Sequence, residues 1–99
     1  MDWYDYALWV NSRKMTVKGA DDDLFGIMGL NGEVGELSEL FKKEYFHGKE
    51  IDNEKLISEL GDVLFYLSYI MLEAGYNIED VMTYNMRKLD NRDDKRYRP

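Results

Sequence analysis

A chain of 99 residues, 44% hydrophobic and 33% charged, describes one folded domain with one core and excludes a disordered polymer. The absence of cysteine excludes disulfides and thiolate metal sites and suits a reducing, cytoplasmic setting; the acidic opening Met1-Asp-Trp-Tyr-Asp does not fit a secretory leader, and no stretch approaches the roughly 20 apolar residues of a membrane span. The net charge of −7 combines −10 over residues 1–86 (7 basic, 17 acidic) with +3 over residues 87–99 (6 basic, 3 acidic), so the body disfavours nucleic acid as a partner while the C-terminal end attracts anions.

The first predicted helix runs from Asp2 to near Met15, with Trp3, Tyr6 and Val10, joined by Leu8 and Trp9, forming an aromatic face. After Gly19 and the acidic run Asp21–Asp23, a second helix spans Leu24 to Phe46, its apolar stripe being Ile27, Leu30, Val34, Leu37 and Phe41. His47-Gly48 closes it, His47 being structural or solvated. Asp52 or Asn53 caps a third helix over Glu54–Ala74, stopped by Gly75. Leu56, Ile57, Leu60, Val63, Leu64, Leu67, Ile70 and Met71 cover more than half of its circumference, more than a chain this short can surround, so this helix is expected to face a second subunit as well. Asn77 caps a fourth helix reaching about Asn91, and residues 93–99 are expected to form a basic, mobile tail.

Two acidic pairs stand out against this pattern, Glu33 with Glu36 and Glu59 with Asp62. Residues three apart project from the same helix face, and these lie beside apolar positions: Glu59 in the stripe of Val63, Tyr66 and Ile70, Glu33 next to Leu30, Leu37 and Leu40. A carboxylate against apolar surface is costly unless a cation offsets it, and no Lys or Arg shares these helix faces nearby. An all-oxygen donor set selects Mg²⁺, Mn²⁺ or Ca²⁺ over softer metals. Glu39 points away from Glu36 and is expected in solvent. Gly26, Gly29, Gly32 and Gly35 recur every third residue in the second helix at about 0.8–1 kcal/mol each relative to alanine. They leave bare backbone beside the acids, with Gly29 one turn before Glu33 and Glu36, or they permit close helix packing.

The segments Gly29-Leu-Asn-Gly-Glu-Val-Gly-Glu-Leu37, Lys42-Lys43, Ser58-Glu-Leu-Gly-Asp-Val-Leu-Phe-Tyr-Leu67 and Asn85-Met-Arg-Lys-Leu89 with Arg92 closely resemble the MazG-like all-α nucleoside triphosphate pyrophosphohydrolases along nearly the whole chain. Many members carry adjacent glutamates where this chain has Gly32-Glu33. The resemblance implies an all-α, four-helix up-down bundle whose core is completed by dimerisation, as a homodimer or dimer of dimers. It also implies hydrolysis of a nucleoside or deoxynucleoside triphosphate to the monophosphate and pyrophosphate in nucleotide-pool cleaning. By the same resemblance Glu33, Glu36, Glu59 and Asp62 hold Mg²⁺, with Mn²⁺ as a substitute, and Glu33 or Glu36 takes the proton of the attacking water. Lys88 and Arg92, four apart, match the family's Lys-x-x-x-Arg segment and are expected on the triphosphate, with Asn85 on the sugar or base; Lys43 is a further candidate, as is Lys42. Trp3, Tyr6, Trp9 or Phe25 are candidates to stack on the base. A phosphoribosyl-ATP pyrophosphohydrolase fits less well, because a histidine usually follows the tyrosine there and Leu67 follows Tyr66 here. A non-catalytic helical dimerisation module with a structural cation is the alternative outside the enzymes.

Overall fold

In a computed structural model that describes residues 1–13 and 22–97, the chain is all-α, with four helices: α1 (Trp3–Arg13), α2 (Asp22–His47), α3 (Asn53–Glu73) and α4 (Ile78–Tyr97). Among the described residues there is no strand, and no helix is long and apolar enough to cross a membrane.

The helix ends follow local chemistry. Asp2 caps α1 from outside, its carboxylate accepting from the Asp5 N–H at 2.9 Å. Asp52, not Asn53, caps α3 by accepting from the Glu54 N–H at 3.0 Å, and Asn77 accepts from the Asp80 N–H at 2.9 Å at the start of α4. Gly48 (φ +64°) and Gly75 (φ +83°) turn the chain out of α2 and α3 in the left-handed conformation that glycine adopts without strain. Two differences from expectation concern length: α2 begins at Asp22, and α4 continues to Tyr97, well past Asn91. The far end of the first predicted helix, Lys14 and Met15, lies outside the described residues.

The α2–α3 hairpin is the heart of the molecule, and α1 packs against α3. Aromatic rings join the three helices: Trp9 meets Phe65 edge-on at 5.8 Å, Phe65 meets Tyr66 at 5.3 Å, and Phe25 of α2 packs against Tyr66 and Tyr69 at 6.1 and 5.8 Å. Val10 and Tyr69 are fully buried at the α1–α3 contact level, with Ala7 and Met71 nearly so.

Much apolar surface has no cover among the described residues. On α3, Ile57, Leu60, Leu64 and Leu67 remain exposed at the three-four spacing of a coiled-coil seam, and on α2 Ile27, Val34 and Phe41 do so at intervals of seven. Along α4 every described residue after Ile78 is exposed, including Val81, Met82, Met86 and Leu89. The Cα radius of gyration is 16.8 Å, against about 13 Å for a compact chain of this length. Its accessible surface is 8089 Å², against about 5,900 Å² for a compact 11.8 kDa monomer.

Candidate metal and nucleotide site

The acids meet where α2 and α3 run side by side. One carboxylate oxygen each from Glu33, Glu59 and Asp62 lie within 4.8 Å of one another, and the Glu36 carboxyl reaches Glu59. Glu59 is only 9% exposed and Glu33 is half-buried, while Glu36 and Asp62 face solvent. Glu33 Oε2 and Glu59 Oε2 are shut off from solvent without a hydrogen-bond partner among the described residues.

That arrangement resists ionisation. Burial pushes the Glu59 carboxyl above the usual carboxylate range, reinforced by the Glu36 carboxyl against it and by the Asp62 charge. Burial does the same to Glu33, followed by the charges of Glu36, Asp62 and Glu59. Tyr6 of α1 is also raised, by burial and then by Asp62, so its phenol stays protonated beside the acids. Like charges converging with orphaned oxygens are what a bound cation would relieve, and the donors are all hard oxygens, a set suited to Mg²⁺ or Mn²⁺.

Beside the acids, α1 and α3 enclose a cleft of about 460 Å³. Glu33 and Asp62 stand at its acidic end; Tyr6, Trp9, Phe65 and Tyr66 line its aromatic part, and Arg13 and Gly61 complete it. Of the aromatic candidates, Tyr6 and Trp9 therefore face the cleft. Trp3 lines a separate depression with Asp2 and Leu72, and Phe25 packs between Tyr66 and Tyr69. Arg13 and Phe65 went unrecognised in the sequence. The signal for Arg13 was there: it follows Trp9 by four and Tyr6 by seven, on one face of α1. Phe65 was masked by its apolar neighbours.

The glycines divide into two kinds. A Cβ at Gly29 would run into the Tyr66 ring, and one at Gly26 would lie 2.9 Å from Ile70 Cγ1, so these two serve close packing of α2 on α3. The expectation of bare backbone beside the acids at Gly29 is thereby corrected: Tyr66 occupies that surface. Gly32 and Gly35 have no described neighbour within 4 Å of such a Cβ.

The basic candidates lie elsewhere within one chain. Asn85 and Lys88 line a groove along α4 with Tyr76 and Tyr84, Arg92 is exposed further along that helix, and Lys43 lines a cleft at the α2–α3 turn with Lys49 and Lys55. None of them lines the acidic cleft among the described residues. Glu39 stands apart from the acids, paired with Lys42 at 3.7 Å on the exposed side of α2, and His47 is exposed at the end of that helix.

Residues 26–97 match the family model of the MazG nucleotide pyrophosphohydrolase domain. No curated protein and no solved structure matches the chain.

Proposed function

The chain belongs to the MazG nucleotide pyrophosphohydrolase domain family, and from that premise we propose that it hydrolyses a nucleoside or deoxynucleoside triphosphate to the monophosphate and pyrophosphate with the help of Mg²⁺, in a nucleotide-pool cleaning role. The observation that carries this reading is Glu59: nine-tenths buried, with an orphaned oxygen, and held against Glu33 and Asp62. Isolated burial of that kind is unfavourable unless a cation joins it.

Glu33, Glu59 and Asp62 would hold the ion, with Glu36 beside Glu59 as a further donor. Mg²⁺ there supplies positive charge against the phosphates and makes water a stronger acid. Glu33, which lines the cleft, or Glu36, beside Glu59, would accept the proton that the attacking water gives up as the phosphoanhydride between the α- and β-phosphorus breaks. Arg13 offers the substrate a fixed positive charge from α1, and the aromatic part of the cleft offers the base flat apolar surface.

The working form is a homodimer, alone or paired into a tetramer. The surplus of about 2,200 Å² over a compact monomer is what one partner contributes to a large obligate interface, and the seams on α2 and α3 supply the apolar surface for it. Lys88, Arg92 and Asn85 would reach the triphosphate and sugar in that assembly, and Lys43 is a weaker candidate for the same contact.

A coupled assay with inorganic pyrophosphatase across the common NTPs and dNTPs, with and without Mg²⁺, tests the activity. Mg²⁺-dependent pyrophosphate release from at least one of them is expected, and its absence from all of them refutes the reading.

A further inference from the structure

Among the described residues, three helix glycines have open space where a side chain would be: Gly32, Gly35 and Gly61. Glycine inside a helix is disfavoured relative to alanine, and at Gly26 and Gly29 neighbouring side chains explain it. At Gly61 no described residue does. Of the three open positions, Gly61 alone lines the acidic cleft, directly before Asp62 and one turn ahead of Phe65. The missing side chain therefore widens the cleft between its acidic end and its aromatic wall. A Cβ there would meet no described atom within 4 Å, so it would take up open space at the cleft lining next to Asp62.

We propose that Gly61 is a specificity-determining residue, its bare α3 backbone forming the floor on which the flat nucleobase end of the substrate rests, and that it limits which nucleotides enter. This rests on the nucleotide reading of the cleft. The nine-tenths buried Glu59 carboxylate, two residues earlier on the same helix, with one oxygen that has no hydrogen-bond partner among the described residues, and gathered with the cleft-lining Glu33 and Asp62, independently marks this end of the cleft as built for a ligand. The helix conformation at Gly61 is ordinary, so backbone geometry does not demand glycine there.

The test compares Gly61→Ala and Gly61→Leu with Gly35→Ala, a control whose open space lines no described cleft. Steady-state kinetics on the best substrate is combined with isothermal titrations of α,β-imido dATP and α,β-imido dUTP in Mg²⁺. For Gly61→Ala the expected result is a KM raised about tenfold with kcat within twofold, parallel weakening of analogue binding, a larger loss for the purine than for the pyrimidine, and a further loss in Gly61→Leu. Gly35→Ala should leave all of these unchanged. Unaltered analogue binding in Gly61→Ala overturns the proposal, as does dissociation of the oligomer by that variant, which would assign the space to protein packing. If wild type binds the analogues but turns over no nucleotide, the pyrophosphohydrolase reading fails while the binding titrations still decide the role of Gly61; if wild type binds neither analogue, both fall.

Discussion

Replacing Leu60 and Leu64 together by alanine tests whether the uncovered seam of α3 is an interface. Leu60 is 48% and Leu64 41% exposed in the single chain, so together they leave a little less than one leucine's surface in water. Covering that much leucine is worth about 2 kcal/mol per chain, and a twofold interface counts each side chain twice, giving about 4 kcal/mol per dimer. At about 1.4 kcal/mol per decade, the double variant should weaken dimerisation about 1,000-fold. Because both residues are already half in solvent, the isolated chain loses little by the change, which keeps association separable from folding. Sedimentation velocity over a wide concentration range measures the constant directly, and a melting temperature that rises with wild-type concentration provides the linked readout. A wild-type chain that stays monomeric at high micromolar concentration, or a double variant that associates as tightly as wild type, refutes the reasoning.

Further outcomes can be checked with purified protein. A divalent cation at about 100 times its Kd should stabilise the fold by about 2.7 kcal/mol, about 10–20 °C in Tm for a domain of this size, and EDTA should reverse it. Glu59→Gln should abolish that cation-dependent rise and reduce turnover to background while leaving the metal-free Tm no lower than wild type; a large fall in metal-free Tm would instead assign Glu59 a structural bond. Because folding raises the proton affinity of Glu33 and Glu59, the folded chain holds protons that the unfolded chain releases. The metal-free Tm should therefore fall as pH climbs from the ordinary carboxylate range, about 4.3, through the raised folded values, and Mg²⁺ should flatten this slope; a metal-free Tm that rises over the same window contradicts the assignment. Gly29→Ala should cost about 1–3 kcal/mol by forcing Tyr66 aside, visible as a lower denaturant midpoint, despite the gain in helix propensity. Ser68→Ala should raise stability by up to about 1 kcal/mol, because the Ser68 hydroxyl is fully buried without a hydrogen-bond partner among the described residues; thermal melts decide it.

Helical periodicity made most of this legible in advance. Asp52, Asn77, Gly48 and Gly75 carry their capping and turning roles in their side chains or their lack of one, so the helix ends were readable within a few residues. The proximity of the acids was readable too, because Glu33 and Glu59 interrupt apolar stripes that must face each other. What local pattern does not encode is the lateral relation between helices. Which of the two roles open to Gly29, bare surface or close packing, holds depends on Tyr66 of another helix, and Arg13 joins the cleft only through the docking of α1 on α3, where Trp9 meets Phe65. The length of α4 was underestimated because its last turns are strongly charged and lack an apolar stripe to announce them.

The rings that clamp α1 to α3 are also the walls of the cleft: Trp9 and Phe65 touch each other and line the opening, and Tyr66 does so while wedged against Gly29. Redesigning the aromatic lining to accept another ligand would therefore loosen the scaffold that presents it. Room for functional drift is confined to surfaces carrying no structural duty, which places evolutionary and engineering freedom at the solvent-facing rim rather than in the walls.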